Sequence, residues 1–155
     1  MRRGALLAYL LAGLAALAPG VPQEASAAQA VRVRFGDFYV GETYEVGPGM
    51  RPDLKLSPRI TVLQGQQVEL LGFMDGILPR DGMYFMIIKE PTFLCPFHTT
   101  SFDWAGFAAV FLRRGTEYID GPILVTGRLD VGRKTDEMGL ESYVRIYDAT
   151  VERMR

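Results

Sequence analysis

From Gln66 onward, apolar and polar positions alternate with a period of two, and turn residues cut the alternation into segments. Gln67 to Met74 (QVELLGFM) reads as a strand. Asp75-Gly76 and Arg80-Asp81-Gly82 bracket a turn region that leads into a second strand, Met83 to Lys89 (MYFMIIK). Gly106 to Leu112 (GFAAVFL) is a third. Pro122 to Asp130 (PILVTGRLD) is a fourth, with Ile123, Val125 and Leu129 on one face and Leu124, Thr126, Arg128 and Asp130 on the other. Glu141 to Glu152 (ESYVRIYDATVE) is a long fifth, and the polar stretch Gly132 to Gly139 before it is expected to be an exposed loop. Upstream, Val31 to Phe35 alternates apolar and basic residues as a short strand, and Gly41 to Asp53 is loop-like in its glycines and prolines. Ser57-Pro58 offers a helix start, a hydroxyl for the free amides and a proline where a missing donor costs nothing, and Gly65 offers the stop.

The first residues follow a different pattern. Met1-Arg2-Arg3-Gly4 precedes an unbroken apolar run from Ala5 to Ala18, and small residues follow. A membrane-spanning helix needs about 20 apolar residues, so this shorter run with a basic start reads as a signal peptide over residues 1–27. Cleavage fits after Ala27 or after Ala30, and no cysteine follows the run to take a lipid. The flanks of Arg2-Arg3 match a twin-arginine signal poorly. The expected product is an exported, periplasmic protein with no stable transmembrane anchor in its mature chain.

Five strands, two of them interrupted by a glycine (Gly72 and Gly127) and joined by loops of unequal length, suggest an all-β fold. The expected architecture is a small OB-like Greek-key barrel over residues 65–155. Residues 28–64 form an N-terminal extension with a short strand and a short helix. Composition adds a constraint on partners. The full chain of 155 residues carries a formal charge of −1, and losing Arg2, Arg3 and Glu24 with the leader leaves −2. A nucleic-acid binder needs a basic face to neutralise phosphates, and this balance argues against one.

Candidate chemistry gathers in FLCPFHTTSFDW, residues 93 to 104, which holds the chain's one cysteine, one histidine and one tryptophan. Cys95 and His98 suit Zn or Cu, and Asp103 or Met86 can complete a ligand shell. A structural zinc site wants four protein ligands and a catalytic one three, so two do not suffice alone. The alternative is structural: a buried thiol behaving as a small hydrophobe, and an imidazole satisfied by the hydroxyls of Thr99, Thr100 and Ser101. Any Ser/His/Asp or Cys/His proposal must run through His98, and no segment supplies an oxyanion hole. The acidic pairs Asp75/Asp81 and Asp136-Glu137 stand where turns favour short acidic residues, and no glycine cluster precedes a helix as a phosphate cradle. No catalytic residue and no cofactor is therefore assigned; the reading is of a chain that is not an enzyme.

The runs LSPRITVLQGQQVELLGFM, FLCPFHTTSFDW and PILVTGRLDVG together resemble a family of exported bacterial proteins known only as a domain of unknown function. In that family a phrase of the form L-x-G-x-x-V-x-[LI]-x-G-[FY]-[ML] precedes a strand, a cysteine-bearing loop and a V-x-G-x-L strand. The resemblance covers residues 54–153. It implies an OB-like exported module, an accessory to envelope transport systems, and no known reaction. Relatives carry paired cysteines or Cys-x-His in the loop; a single cysteine here leaves a thiol pair without its second member.

Aromatic residues point toward surfaces. Phe35, Phe38, Tyr39 and Tyr44 stand near the start of the mature chain and are expected to close one end of the barrel. Tyr143, Arg145 and Tyr147 share one face of the last strand and are the candidate partner-binding residues. Two functions are thus expected in order: a non-catalytic binding or accessory module that contacts another envelope protein, and, as the alternative, a periplasmic Zn- or Cu-binding protein using Cys95 and His98.

Overall fold

The computed structural model describes residues 29–44, 53–75, 81–91, 103–136 and 139–155. The leader read over residues 1–27, and Cys95 and His98, lie outside the described residues. The fold is mostly strand, as the period-two pattern predicts. Eight strands are named in chain order: β1 (Val31–Val33), β2 (Tyr39–Val40), β3 (Lys55–Leu56), β4 (Gln67–Met74), β5 (Tyr84–Ile88), β6 (Phe107–Leu112), β7 (Pro122–Thr135) and β8 (Glu141–Arg153). One short helix, α1 (Pro58–Thr61), precedes β4.

Its start is chemically explicit. The Ser57 hydroxyl accepts the Ile60 amide at 3.2 Å, and Pro58 fills the first helical position. The same hydroxyl donates to the Asp37 carbonyl, which ties the helix to the 3-10 turn Phe35–Asp37. Gly65 leaves the helical region at φ +77°, a conformation that suits glycine, and its amide donates to the Leu129 carbonyl of β7 at 2.8 Å.

Six strands form one sheet in the order β1-β4-β5-β6-β8-β7, and β4 also pairs with β7. The pairings among β4, β5, β6, β8 and β7 therefore return to the strand from which they start. All are antiparallel except β6 with β8, and β1 lies parallel to β4 along Val68–Leu70. Along its length β4 serves different neighbours. Gln67 to Phe73 pair with β7, whereas only Phe73 and Met74 pair with β5. Gly72 lies at the changeover, where a Cβ would fall 2.6 Å from the Ile88 carbonyl oxygen and 2.8 Å from Ile87 Cγ1. Only a residue without a side chain lets the two strands meet there.

The faces sort by burial. Val68, Leu70, Phe85, Ile87, Ala108, Val110, Ile123, Val125, Leu129, Val144 and Ile146 point inward into one core, joined by Phe35, Phe38 and Ile60 from the N-terminal extension. Phe35, Phe38 and the half-buried Tyr39 thus pack inward, while Tyr44 is 59 % exposed. One expectation needs correction. Residues 132–135 are strand, not loop: β7 and β8 continue as a ribbon in which Lys134 pairs with Ser142 and Thr135 with Glu141. Polar residues there read as loop because a two-stranded ribbon beyond the core needs no apolar face. On either side of the stretch read as loop-like, β2 and β3 pair, Tyr39 with Leu56 and Val40 with Lys55; residues 45–52 of that stretch lie outside the described residues. Two-residue strands are too short to carry a period.

Candidate functional site

Strands β5, β6 and β8 turn a second set of side chains away from the core. Met86, Ile88, Trp104 and Phe107 form a separate buried cluster, with Tyr39, Leu54, Phe73, Tyr84, Leu140 and Tyr143 packed against it. The 3-10 turn Trp104–Gly106 lays the indole over this face, with ring centroids 5.8 Å from Phe107 and 5.4 Å from Tyr143. Asp103 anchors that turn, accepting the Ala105 amide at 3.0 Å and the Thr43 hydroxyl at 2.6 Å. Tyr143 also meets Tyr39 edge-on at 6.3 Å. Of the supplementary ligands considered for Cys95 and His98, Asp103 is thus engaged in holding a turn and Met86 is buried in the aromatic cluster.

Arg145 has a different fate from the tyrosines beside it. It is only 3 % exposed, and its Nε donates to Asp130 Oδ2 at 2.7 Å. Nη1 donates to the Ser142 carbonyl at 2.7 Å and to its hydroxyl at 3.1 Å, and Nη2 to the Gly132 carbonyl at 2.7 Å. Such a guanidinium holds β7 against β8 and presents no free donor fork to a partner. Burial works to raise the Asp130 carboxyl, but hydrogen bonds from Gln64 and Arg145 and the charges of Arg145 and Lys134 outweigh it. Its pKa is held below the ordinary carboxylate value.

Beyond Arg145, β8 bulges. Asp148 has φ +52°, and the pairing slips between Val110 and Leu112 on one side and between Thr126 and Arg128 on the other. Inward positions run Val144, Ile146 and then Ala149, so the extra residue leaves both Tyr147 and Asp148 facing outward. Gly127 stands opposite, where a Cβ would fall 2.7 Å from the Tyr147 carbonyl oxygen.

The bulge completes a partly exposed aromatic row across three strands. Tyr84 packs on Phe111 at 5.1 Å, and Phe111 stacks on Tyr147 at 4.7 Å with the planes 17° apart. Two cations edge the row. Lys134 Nζ donates to the Tyr147 hydroxyl at 3.0 Å and lies 5.2 Å from the ring centroid, and the Arg128 guanidinium lies 5.7 Å from it while pairing with Asp148 at 3.2 Å. At the other end the Tyr84 hydroxyl is buried without a hydrogen-bond partner among the described residues. Burial, aided by the Asp136 and Asp75 carboxylates, raises its pKa well above the ordinary tyrosine value, so it stays neutral. Burial likewise raises Tyr39, with Tyr143 and Asp103 adding to it and Arg145 opposing.

The chain is similar in fold to a DUF3299 family protein. That protein, from Pseudomonas aeruginosa PAO1 and known from a crystal structure at 2.45 Å, is 14 % identical to this chain. The similarity covers 81 % of this chain and 98 % of that chain, with a TM-score of 0.51. At this identity the likeness is one of fold. No family model matches the chain, and no curated protein does.

Of the residues singled out from sequence, the structure brings Tyr143 into the Trp104 cluster, buries Arg145 in an ion pair and leaves Tyr147 in the outward row. Among the described residues no three His, Cys, Asp or Glu side chains come together as a metal-ligand set. Tyr84, Phe111, Arg128 and Lys134 escaped the sequence reading as site residues. Tyr84 and Phe111 do sit on the outward parity of their strands, but only the pairing of Tyr84 with Phe111 and of Arg128 with Tyr147 shows that they share a row.

Proposed function

We propose that this chain is an exported, non-catalytic binding module of the bacterial cell envelope, built on an OB-type Greek-key barrel, that docks another envelope protein on the outer face of β5, β6 and β8. Support for the barrel is the ring of pairings β4-β5-β6-β8-β7-β4 with β6 and β8 parallel. In OB folds the face around the second and third strands is the usual place for a ligand. Here those strands correspond to β5 and β6.

The observation that carries the reading is the partly exposed Tyr84–Phe111–Tyr147 row edged by Arg128 and Lys134. Tyrosine and arginine are enriched at the anchoring positions of protein interfaces, and both occur in this row. Support for export is the basic start and short apolar run of residues 1–27.

Expression of the full-length chain with a C-terminal tag in a bacterial host tests both parts. Recovered periplasmic protein should begin at Ala28 or Val31. The double substitution Arg128→Glu with Lys134→Glu should lose the co-purifying envelope protein while melting as the parent does. Retention of the same partner by the charge-reversed variant, or recovery only of cytoplasmic protein with its leader intact, would overturn the proposal.

A further inference from the structure

A second site lies away from the aromatic row, where β6 ends beside the last third of β8. Leu112, Arg113, Arg114, Gly115, Thr116, Ala149, Thr150 and Val151 line an open cleft of about 470 Å³. Its floor is built by close backbone packing. The Arg113 amide donates to the Ala149 carbonyl at 3.1 Å, and the Thr116 amide to the Gly82 carbonyl at 3.1 Å. A Cβ on Gly115 would fall 2.4 Å from the Asp81 carbonyl oxygen, and one on Gly82 2.2 Å from that of Thr116. A side chain has no room at this crossing, which brings the segment carrying both arginines against Asp81 and Gly82.

The charge around the cleft is one-sided. Arg113 and Arg114 are exposed, and neither guanidinium has an ion-pair partner among the described residues. Among the described residues no carboxylate side chain lines the cleft. Arg32, Arg59, Arg128, Arg133 and Arg145 are each matched to an acid, whereas Arg34, Arg153 and Arg155 share with Arg113 and Arg114 the lack of one among the described residues. Two guanidiniums beside one cleft make its local potential positive and favour the approach of an anion. The Thr116 hydroxyl gives its proton to the Glu117 carbonyl at 3.1 Å, so the guanidiniums are the cationic donors available. Each is a planar fork that matches the oxygens of a phosphate.

We propose that this cleft binds a phosphate group borne by a larger molecule. Its volume falls in the range of about 300–1,000 Å³ of small-ligand sites, more than one inorganic anion fills, and it is open on one side, so the remainder of the ligand extends outward. A soluble phosphomonoester and a phospholipid headgroup share this chemistry.

The test uses the full mature protein labelled with ¹⁵N. Titration with glycerol 3-phosphate, and separately flotation with phosphatidylcholine vesicles with and without phosphatidylglycerol, distinguishes the two sources. Saturable amide shifts confined to residues 113–116 and 149–151 assign a soluble phosphate ester. Recruitment that requires phosphatidylglycerol assigns a headgroup. In either case Arg113→Gln and Arg114→Gln should each weaken binding about tenfold, in keeping with loss of a charge-assisted hydrogen bond, without lowering the melting temperature. Arg113→Lys with Arg114→Lys should recover only part of it. No saturable shift and no vesicle recruitment, or binding that persists undiminished in the double glutamine variant, would overturn the proposal.

Discussion

Replacing Arg145 with methionine removes a buried cation while keeping much of its length and apolar stem. The parent guanidinium makes four hydrogen bonds, to Asp130, to the Ser142 carbonyl and hydroxyl, and to the Gly132 carbonyl. Breaking a buried ion pair by deleting one partner costs about 3–5 kcal/mol, because the remaining groups lose both their partner and their water. Asp130 keeps its 2.9 Å hydrogen bond from Gln64, and its side chain is 23 % exposed, so part of its charge is rehydrated. The loss should therefore sit at the lower end, about 3 kcal/mol, a fall on the order of 10 °C in melting temperature for a domain of this size. Urea unfolding of Arg145→Met, Asp130→Asn and the double variant measures it. The double variant should be less destabilised than the sum of the singles, since neither partner is then left alone. A loss below about 1 kcal/mol for Arg145→Met would place this residue in the range of exposed pairs and refute its assignment as the internal tie between β7 and β8.

Three shorter predictions concern other parts of the scaffold. Gly72→Ala should destabilise by about 2–4 kcal/mol, since its Cβ meets the Ile88 carbonyl oxygen at 2.6 Å, and chemical denaturation would show it. Ser57→Ala should cost about 1–2 kcal/mol through loss of the cap on Ile60, read as a lower urea midpoint at unchanged slope. The Asp130 carboxyl has a lower pKa folded than unfolded, so its stabilisation is complete above the unfolded value near pH 4 and is lost as pH falls through the folded value. The stability gap between parent and Asp130→Asn should therefore narrow on acidification below about pH 4, and a gap constant with pH would contradict this.

Much of the scaffold was legible because each long strand buries one face. Inward Val68 and Leu70, Phe85 and Ile87, and Ile123, Val125 and Leu129 stand at alternate positions, and that spacing is visible in the chain. Ser57-Pro58 and Gly65 were legible for the local reasons that make them useful. Pairing was not. β4 meets β7 more than fifty positions away, as in Val68 with Gly127, and no local pattern states that partnership. Arg145 shows the consequence most clearly: on an outward parity an arginine reads as exposed, and only its register opposite Asp130 reveals that it is enclosed. The bulge at Asp148 breaks the alternation inside β8, so the row that includes Tyr147 depends on a backbone irregularity that a strict period of two conceals.

Site-specific photocross-linking in cells reads whether the outer face of β5, β6 and β8 receives a protein partner. A benzophenone amino acid replaces Tyr147 in one strain and Leu71 of β4 in another; Leu71 is 52 % exposed and lies on a different strand of the ring. A discrete protein adduct is expected from position 147 and none from position 71. An adduct from position 71 alone, or none from position 147 in cells that export the protein, would contradict that expectation.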